Sequence, residues 1–230
     1  MARWSELGAR CVVFTNRGLG GIPLKTPRTY CAANTEDISE VIDHIKQLHP
    51  DSPLMVLGVS LGGIILGNYL VAKGEEARSK VVAAMLVSVC WDCFKGTESL
   101  EKWGLNMMLN RHLANCLVQS VRKFKHHFDN GKKKIENFDS VFSSRTVRQF
   151  DQSFTVPQFG YRDVEEYYKD ACLVGNVKHI RVPVLAINAD DDPFQVSIAF
   201  FSNLILGFSI SVFVYKKPHY FRIKILILYV

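Results

Sequence analysis

Val56-Leu57-Gly58-Val59-Ser60-Leu61-Gly62-Gly63 is the stretch that decides the architecture. Pro53 to Val59 is short and apolar, as a buried parallel strand should be. Leu61 to Ala72 follows at once and reads as a helix, with Ile64, Ile65, Leu66, Tyr69 and Leu70 to bury. Between them stands Gly-x-Ser-x-Gly. A strand that turns straight into a helix with a serine at the turn strains the serine backbone and lifts its hydroxyl clear of the sheet. Glycines two residues before and after the serine are expected where strand and helix close on each other. A glycine-rich turn without chemistry can show the same five letters. The strand before and the helix after favour a nucleophile elbow.

The flanking segments continue the pattern. Arg10 to Thr15 reads as a strand, and Arg17-Gly18-Leu19-Gly20-Gly21 as a loop without the spacing of a phosphate cradle. Asn34 to Leu48 is an amphipathic helix. Ile38, Val41, Ile42, Ile45 and Leu48 share one face, Asn34 stands at the cap, and Glu36 and Asp37 lie in the first turn. Val81 to Val89 is a further strand. Strand, helix, strand, helix, strand predicts an α/β protein with a mostly parallel sheet and helices on both faces.

The rhythm breaks at Trp91. From about 91 to 178 the chain is helical, polar and aromatic, with helices expected over Leu100 to Leu117 and Val164 to Tyr168. This reads as a lid inserted between strands, and lids select substrates. The sheet resumes at Val182 to Asn188 and ends in Asp190, Asp191 and Asp192. Residues 1–195 thus form one partial domain, and residues 196–230 an atypical hydrophobic tail.

Composition sets the remaining bounds. The chain has 230 residues, 48% hydrophobic and 22% charged, with a net charge of +6, which suits one globular domain. The basic excess concentrates in Arg122 to Lys134. It marks a solvated face or attraction to anionic lipid head groups. Nucleic acid is not expected as a partner, because no nucleic-acid motif accompanies the charge. Six cysteines are scattered along the chain. Cys90-Trp91-Asp92-Cys93 is a lone CxxC, and one pair does not close a tetrahedral metal site. The residues before the first strand lack the apolar core of a signal peptide.

In a hydrolase built on such an elbow, the chain order is serine, acid, histidine, and the acid follows a late strand. The aspartates after Asn188 occupy that position. The chain here resembles the α/β-hydrolase domain proteins of the AB hydrolase 4 family, membrane-anchored lipid esterases. The resemblance rests on Arg10-Cys11-Val12-Val13-Phe14 with Asn16-Arg17-Gly18, on Thr26-Pro27-Arg28-Thr29-Tyr30, and on Asn34-Thr35-Glu36-Asp37. It continues through Gly58 to Gly63 with Asn68-Tyr69-Leu70, Ser99-Leu100-Glu101, Phe159-Gly160-Tyr161 and Tyr167-Tyr168, and ends at Pro183-Val184-Leu185 and Asp191-Asp192. It covers roughly residues 7–195.

The resemblance implies an α/β-hydrolase fold and a serine carboxylic-ester hydrolase acting on lipids, such as an acylglycerol lipase, a phospholipase or a short-chain carboxylesterase. It implies Ser60 as nucleophile, Asp192 as triad acid and the Leu61 N–H as an oxyanion donor. It calls for no metal and no organic cofactor. A lipid ester is the implied substrate and a membrane surface the implied location.

Two departures temper this. Family members carry a membrane anchor, early strands and a loop supplying the second oxyanion N–H before the strand that starts at Arg10. After Gln195 they continue to a Gly-Gly-His turn that supplies the triad base. Here Val196 to Val230 stays apolar and holds one histidine, His219, without the glycine pair. An isolated histidine is more often incidental than catalytic. Ile210 to Tyr215 reads as a strand before it. Val196 to Tyr215, uncharged, also has the length of a membrane span. The resemblance therefore implies a hydrolase domain shortened at both ends and hydrolysing esters poorly. The alternative is a catalytically dead form that binds lipid or a partner.

Overall fold

The computed structural model describes residues 8–129, 135, 137–189 and 191–194, and the backbone alone at 210–215. Four strands form one wholly parallel sheet in the order β1-β2-β3-β4. They are β1 (Met55–Val59), β2 (Ala83–Val87), β3 (Val184–Ala189) and β4 (Ile210–Tyr215). The register pairs Val59 with Val87, Val87 with Ile187, and Asn188 with Val214. All four carboxyl ends therefore lie along one edge. This is the parallel α/β arrangement that the resemblance implies, and the parallel strands need helices as crossovers.

Helix α1 (Glu36–Leu48) precedes β1 and packs on α2 (Leu61–Lys80), which crosses from β1 to β2. Leu66, Tyr69 and Leu70 of α2, Leu86 of β2 and Ala186 of β3 are almost fully buried in one cluster. Helix α2 runs beyond Ala72 because Gly74, at φ 45° and ψ −113°, kinks it instead of ending it. A conformation with positive φ carries no steric penalty for glycine.

Between β2 and β3 the described chain holds no strand. It contains α3 (Cys93–Leu100), α4 (Leu105–Asp129), α5 (Phe138–Phe142), α6 (Val147–Phe150), α7 (Val156–Phe159) and α8 (Val164–Ala171), with a π-helical turn over Asp151–Thr155. Val118, Val121, Phe128, Val141, Phe150 and Phe154 form a second apolar core here with Leu24. The helix expected over Leu100 to Leu117 begins at Leu105 and runs on to Asp129, and Leu100 ends the separate helix α3. Asp92 caps α3 by accepting the N–H groups of Phe94 and Lys95, and Gly104 at φ 105° breaks the chain before α4.

Three local expectations fail. Arg10 to Thr15 is not a strand; Val12 and Val13 stand in solvent at 59% and 68% exposure. A strand is a pairing, and this segment pairs with no described strand, so apolar content alone leaves it without regular structure. Strand β1 is not covered on both faces. Gly58 is buried, but Met55, Leu57 and Val59 on the alternate face are 65%, 59% and 53% exposed. Asn34 does not cap α1. Thr35 holds the cap position without a side-chain bond, and the Asn34 amide oxygen accepts from Arg28 Nη2 at 2.9 Å instead. The strand expected at Ile210 to Tyr215 is present. Its six residues belong to the sheet, so this part of the apolar tail is not a spanning helix. No helix among the described residues is long and apolar enough to cross a membrane.

Candidate active site

Ser60 sits at the carboxyl end of β1 with φ 52° and ψ −125°. A side chain in that region costs about 1–3 kcal/mol and persists only where its surroundings impose it. The imposing contacts are visible. The Ser60 N–H donates to Val87 O of the neighbouring strand at 2.9 Å. The Ser60 carbonyl accepts from Gly63 N at 2.9 Å and Ile64 N at 3.1 Å, which starts α2 at once. The strand is tied to the sheet up to Ser60 and the helix begins there, so one residue takes the whole reversal. The Ser60 side chain makes no capping hydrogen bond and is exposed, which leaves its hydroxyl presented to solvent.

The glycines explain the turn, though not as the spacing suggested. A Cβ on Gly58 would stand 2.6 Å from Gly63 Cα and 2.7 Å from Gly62 O. A Cβ on Gly63 would stand 2.2 Å from a Val89 methyl, whereas a Cβ on Gly62 would meet nothing within 4 Å. The close approach of strand and helix runs between Gly58 and Gly63. Gly62 is sterically free, so the symmetric collision expected around the serine is half right. Leu61 is the first helical residue. Its N–H has no carbonyl four residues back within the helix to bond and lies at the positive end of the helix dipole.

Asp192 follows β3. It is half-buried, its N–H donates to Ala189 O at 3.4 Å, and its Oδ1 accepts from Phe194 N at 3.0 Å. Burial raises its pKa; the Phe194 N–H opposes that rise and neighbouring Asp191 adds to it. Asp191 is more exposed, and Asp190 lies outside the described residues. Strands β1 and β3 flank β2, so Ser60 and Asp192 follow strand ends two spacings apart, about 9.5 Å by sheet geometry. That gap suits an imidazole between them. Among the described residues no histidine hydrogen-bonds to either. His219 lies outside the described residues.

One feature of this edge escaped the sequence. Ser88, after β2, also has positive φ, at 50°, and its N–H donates to Ile187 O at 2.8 Å. Beyond it Asn188, buried in β3, bonds Val89 O through Nδ2 and accepts from Trp91 Nε1 through Oδ1. These bonds tie the start of the helical insertion to the strand that precedes Asp192. Only Asn188, a polar residue inside an apolar strand, signalled this.

Residues 1–199 match the model of a known family, Hydrolase_4, described as serine aminopeptidase, S33. The chain belongs to that α/β-hydrolase family. It is similar to mouse "Phospholipase ABHD3", 45% identical over 195 residues, which are 84% of this chain and 46% of that protein. It is also similar to "Protein abhd-3.2" of Caenorhabditis elegans, 37% identical over 190 residues, 83% of this chain and 49% of that protein. "Monoacylglycerol lipase" of Saccharomyces cerevisiae is 33% identical over 193 residues, 79% of this chain and 40% of that protein. The chain thus spans less than half the length of these relatives.

Proposed function

We propose that this chain carries the site of a serine ester hydrolase acting on lipids, with Ser60 as nucleophile. The observation that carries the reading is the Ser60 backbone. A serine is held at positive φ on the carboxyl edge of a parallel sheet, at the start of a helix, in a family of serine hydrolases. The relatives named as a phospholipase and a monoacylglycerol lipase support lipid esters as the substrate class.

The roles follow from chemistry. Ser60 Oγ attacks the ester carbonyl carbon while a histidine takes its proton. Asp192 orients that histidine and stabilises its cation. The carbonyl oxygen becomes an oxyanion facing the Leu61 N–H. The tetrahedral intermediate collapses, the alcohol leaves with the proton, and water repeats the sequence on the acyl-serine. His219, the one histidine that follows Asp192 in the sequence, is where a base is to be tested first. It lies four residues beyond β4, which pairs in parallel with β3 and so ends on the Asp192 edge.

The insertion between β2 and β3 acts as the lid over the acyl chain, and we place it against a membrane surface. From Lys102 to Phe128 the sequence has no acidic residue, and Arg111, Arg122, Lys123 and Lys125 of α4 are exposed. Such a face attracts anionic head groups. A second reading, a chain that binds lipid without hydrolysing it, draws on the sequence after Gln195, where His219 lacks the glycine pair of the family's Gly-Gly-His turn. A fluorophosphonate probe on purified, monodisperse protein separates the two. Labelling that vanishes in Ser60→Ala supports the hydrolase. A folded protein that stays unlabelled supports the binder.

A further inference from the structure

The Cys90-Trp91-Asp92-Cys93 motif plays no part in the hydrolytic chemistry above, yet it stands where the insertion begins. The structure brings a third cysteine to it. Cys172 immediately follows α8, at the end where the insertion returns to the sheet. The Cys93 N–H donates to Cys172 Sγ at 3.1 Å, across 79 positions of sequence. The Cys90 thiol donates to Asp92 O at 3.3 Å in the same turn. The Cys90 sulfur is packed beneath α3, where a Cβ on Gly96 would stand 2.4 Å from it. All three are free cysteines. Beside them Trp91 O accepts the N–H groups of Leu173 and Val174, each at 3.1 Å. The outgoing and returning stems of the insertion therefore meet at this point, held by backbone hydrogen bonds and lined by three thiols.

We propose that Cys93 and Cys172 are a modification site, a reversible disulfide that staples the two stems, with a small peroxide as oxidant. The two sulfurs differ in character. Cys172 Sγ accepts the Cys93 N–H, and its interaction with Cys93 lowers its pKa against the opposing effects of burial and Asp92. The neighbouring Cys172 and Cys90 sulfurs, and then burial, raise the pKa of the Cys93 thiol. Cys172 is 8% exposed, so a bulky disulfide is shielded from it and the oxidant must be small.

The chemistry balances. The Cys172 thiolate attacks one peroxide oxygen, the O–O bond breaks, and hydroxide leaves, giving a sulfenic acid. Cys93 sulfur then attacks Cys172 sulfur. The S–S bond forms, the S–O bond breaks, and the hydroxyl leaves as water with the Cys93 proton. The two sulfurs together lose two electrons and the peroxide gains them. A dithiol reductant reverses the bond by thiolate exchange. Closing a loop of this length constrains the unfolded chain. It also prevents the stems from separating, whatever chemistry the site beyond them performs.

Mass spectrometry on the purified 230-residue chain tests this without any measurement of activity. The chain is treated with hydrogen peroxide, free thiols are alkylated, and the protein is digested with trypsin. The expected product joins peptide 81–95 to peptide 170–178. Fragmentation between Cys90 and Cys93 places the bond on Cys93. The cross-link persists in Cys90→Ser, disappears in Cys172→Ser and reverses with dithiothreitol, and the thermal midpoint rises on oxidation. A Cys90–Cys93 bond, a sulfinic acid on Cys172 without cross-link, or complete alkylation of both thiols after peroxide overturns the proposal. The mapping on the unmodified sequence decides the matter even where Cys172→Ser does not fold.

Discussion

Gly58 and Gly63 meet backbone to backbone: a Cβ on Gly58 would lie 2.6 Å from the Gly63 Cα. Neither partner has a side chain to rotate away, so relief would require strand and helix to separate. The Gly62 carbonyl lines this contact, but a Cβ on Gly62 would point into open space. We expect Gly58→Ala to destabilise the chain by more than about 3 kcal/mol, as severe overpacking does. Gly62→Ala should change stability by less than about 1 kcal/mol, since it fills open space in a helical position that favours alanine. Urea denaturation of both variants checks the pair. Equal losses would show that the turn depends on the Gly-x-Ser-x-Gly pattern as a whole rather than on one contact.

Ser60 carries the strain that the contact imposes. Ser60→Ala keeps a Cβ and the strain and loses only the hydroxyl, so activity on a short ester should fall by about 10⁴-fold or more. Ser60→Gly should lose activity equally and gain about 1 kcal/mol, because glycine accepts φ 52° freely. Thermal unfolding and ester turnover on the same preparations test both. Near-normal turnover by folded Ser60→Ala would remove Ser60 from the mechanism.

The parts legible in the sequence were those set by local pattern. The apolar run before Ser60, the helical run after it and the repeated strand signal all reappear in the sheet and its crossovers. Arg10 to Thr15 was misread because Val12, Val13 and Phe14 have strand composition, while strand formation depends on a partner that composition does not reveal. The exposed alternate face of β1 was hidden for the same reason. The position after a late strand singled out Asp190, Asp191 and Asp192 together, and only the family resemblance pointed to Asp192 among them. The positive φ of Ser88 and the meeting of Cys93 with Cys172 were not legible, since both depend on tertiary contacts between distant segments.

Asp192 differs from Asp191 in burial and in its bond to Phe194 N. We propose Asp192 as the acid, and Asp192→Asn should preserve shape while lowering turnover by about 10⁴-fold, through loss of the carboxylate that orients the imidazole. Asp191→Asn should have a small effect. Burial raises the Asp192 pKa in the folded chain, so this group favours the folded state least once it is ionised. Steady-state kinetics on both variants decide the register. Loss in Asp191→Asn alone would shift the acid by one residue.

Asp151 gives the fold a pH dependence of its own. It opens the π-helical turn of the insertion, with Oδ1 accepting from Thr155 Oγ1 at 2.7 Å and Oδ2 from Tyr168 Oη at 3.1 Å. Burial pushes its pKa up to about 6, against the pull of those two hydroxyls. The unfolded carboxyl titrates near 3.9. Between those values the folded chain holds a proton that the unfolded chain has released. Stability from this group is therefore greatest at low pH and declines as pH rises through the window to about 6. The full difference is on the order of 3 kcal/mol, at 1.36 kcal/mol per unit. Asp151→Asn keeps an amide oxygen for one hydroxyl and carries no charge to bury. The variant should match the parent near pH 4 and exceed it in stability at pH 7.5. Denaturant midpoints at the two pH values measure the difference. A variant less stable than the parent at pH 7.5 by more than at pH 4 would show that the ionised carboxylate is favoured in place, and the sign argued here would be wrong.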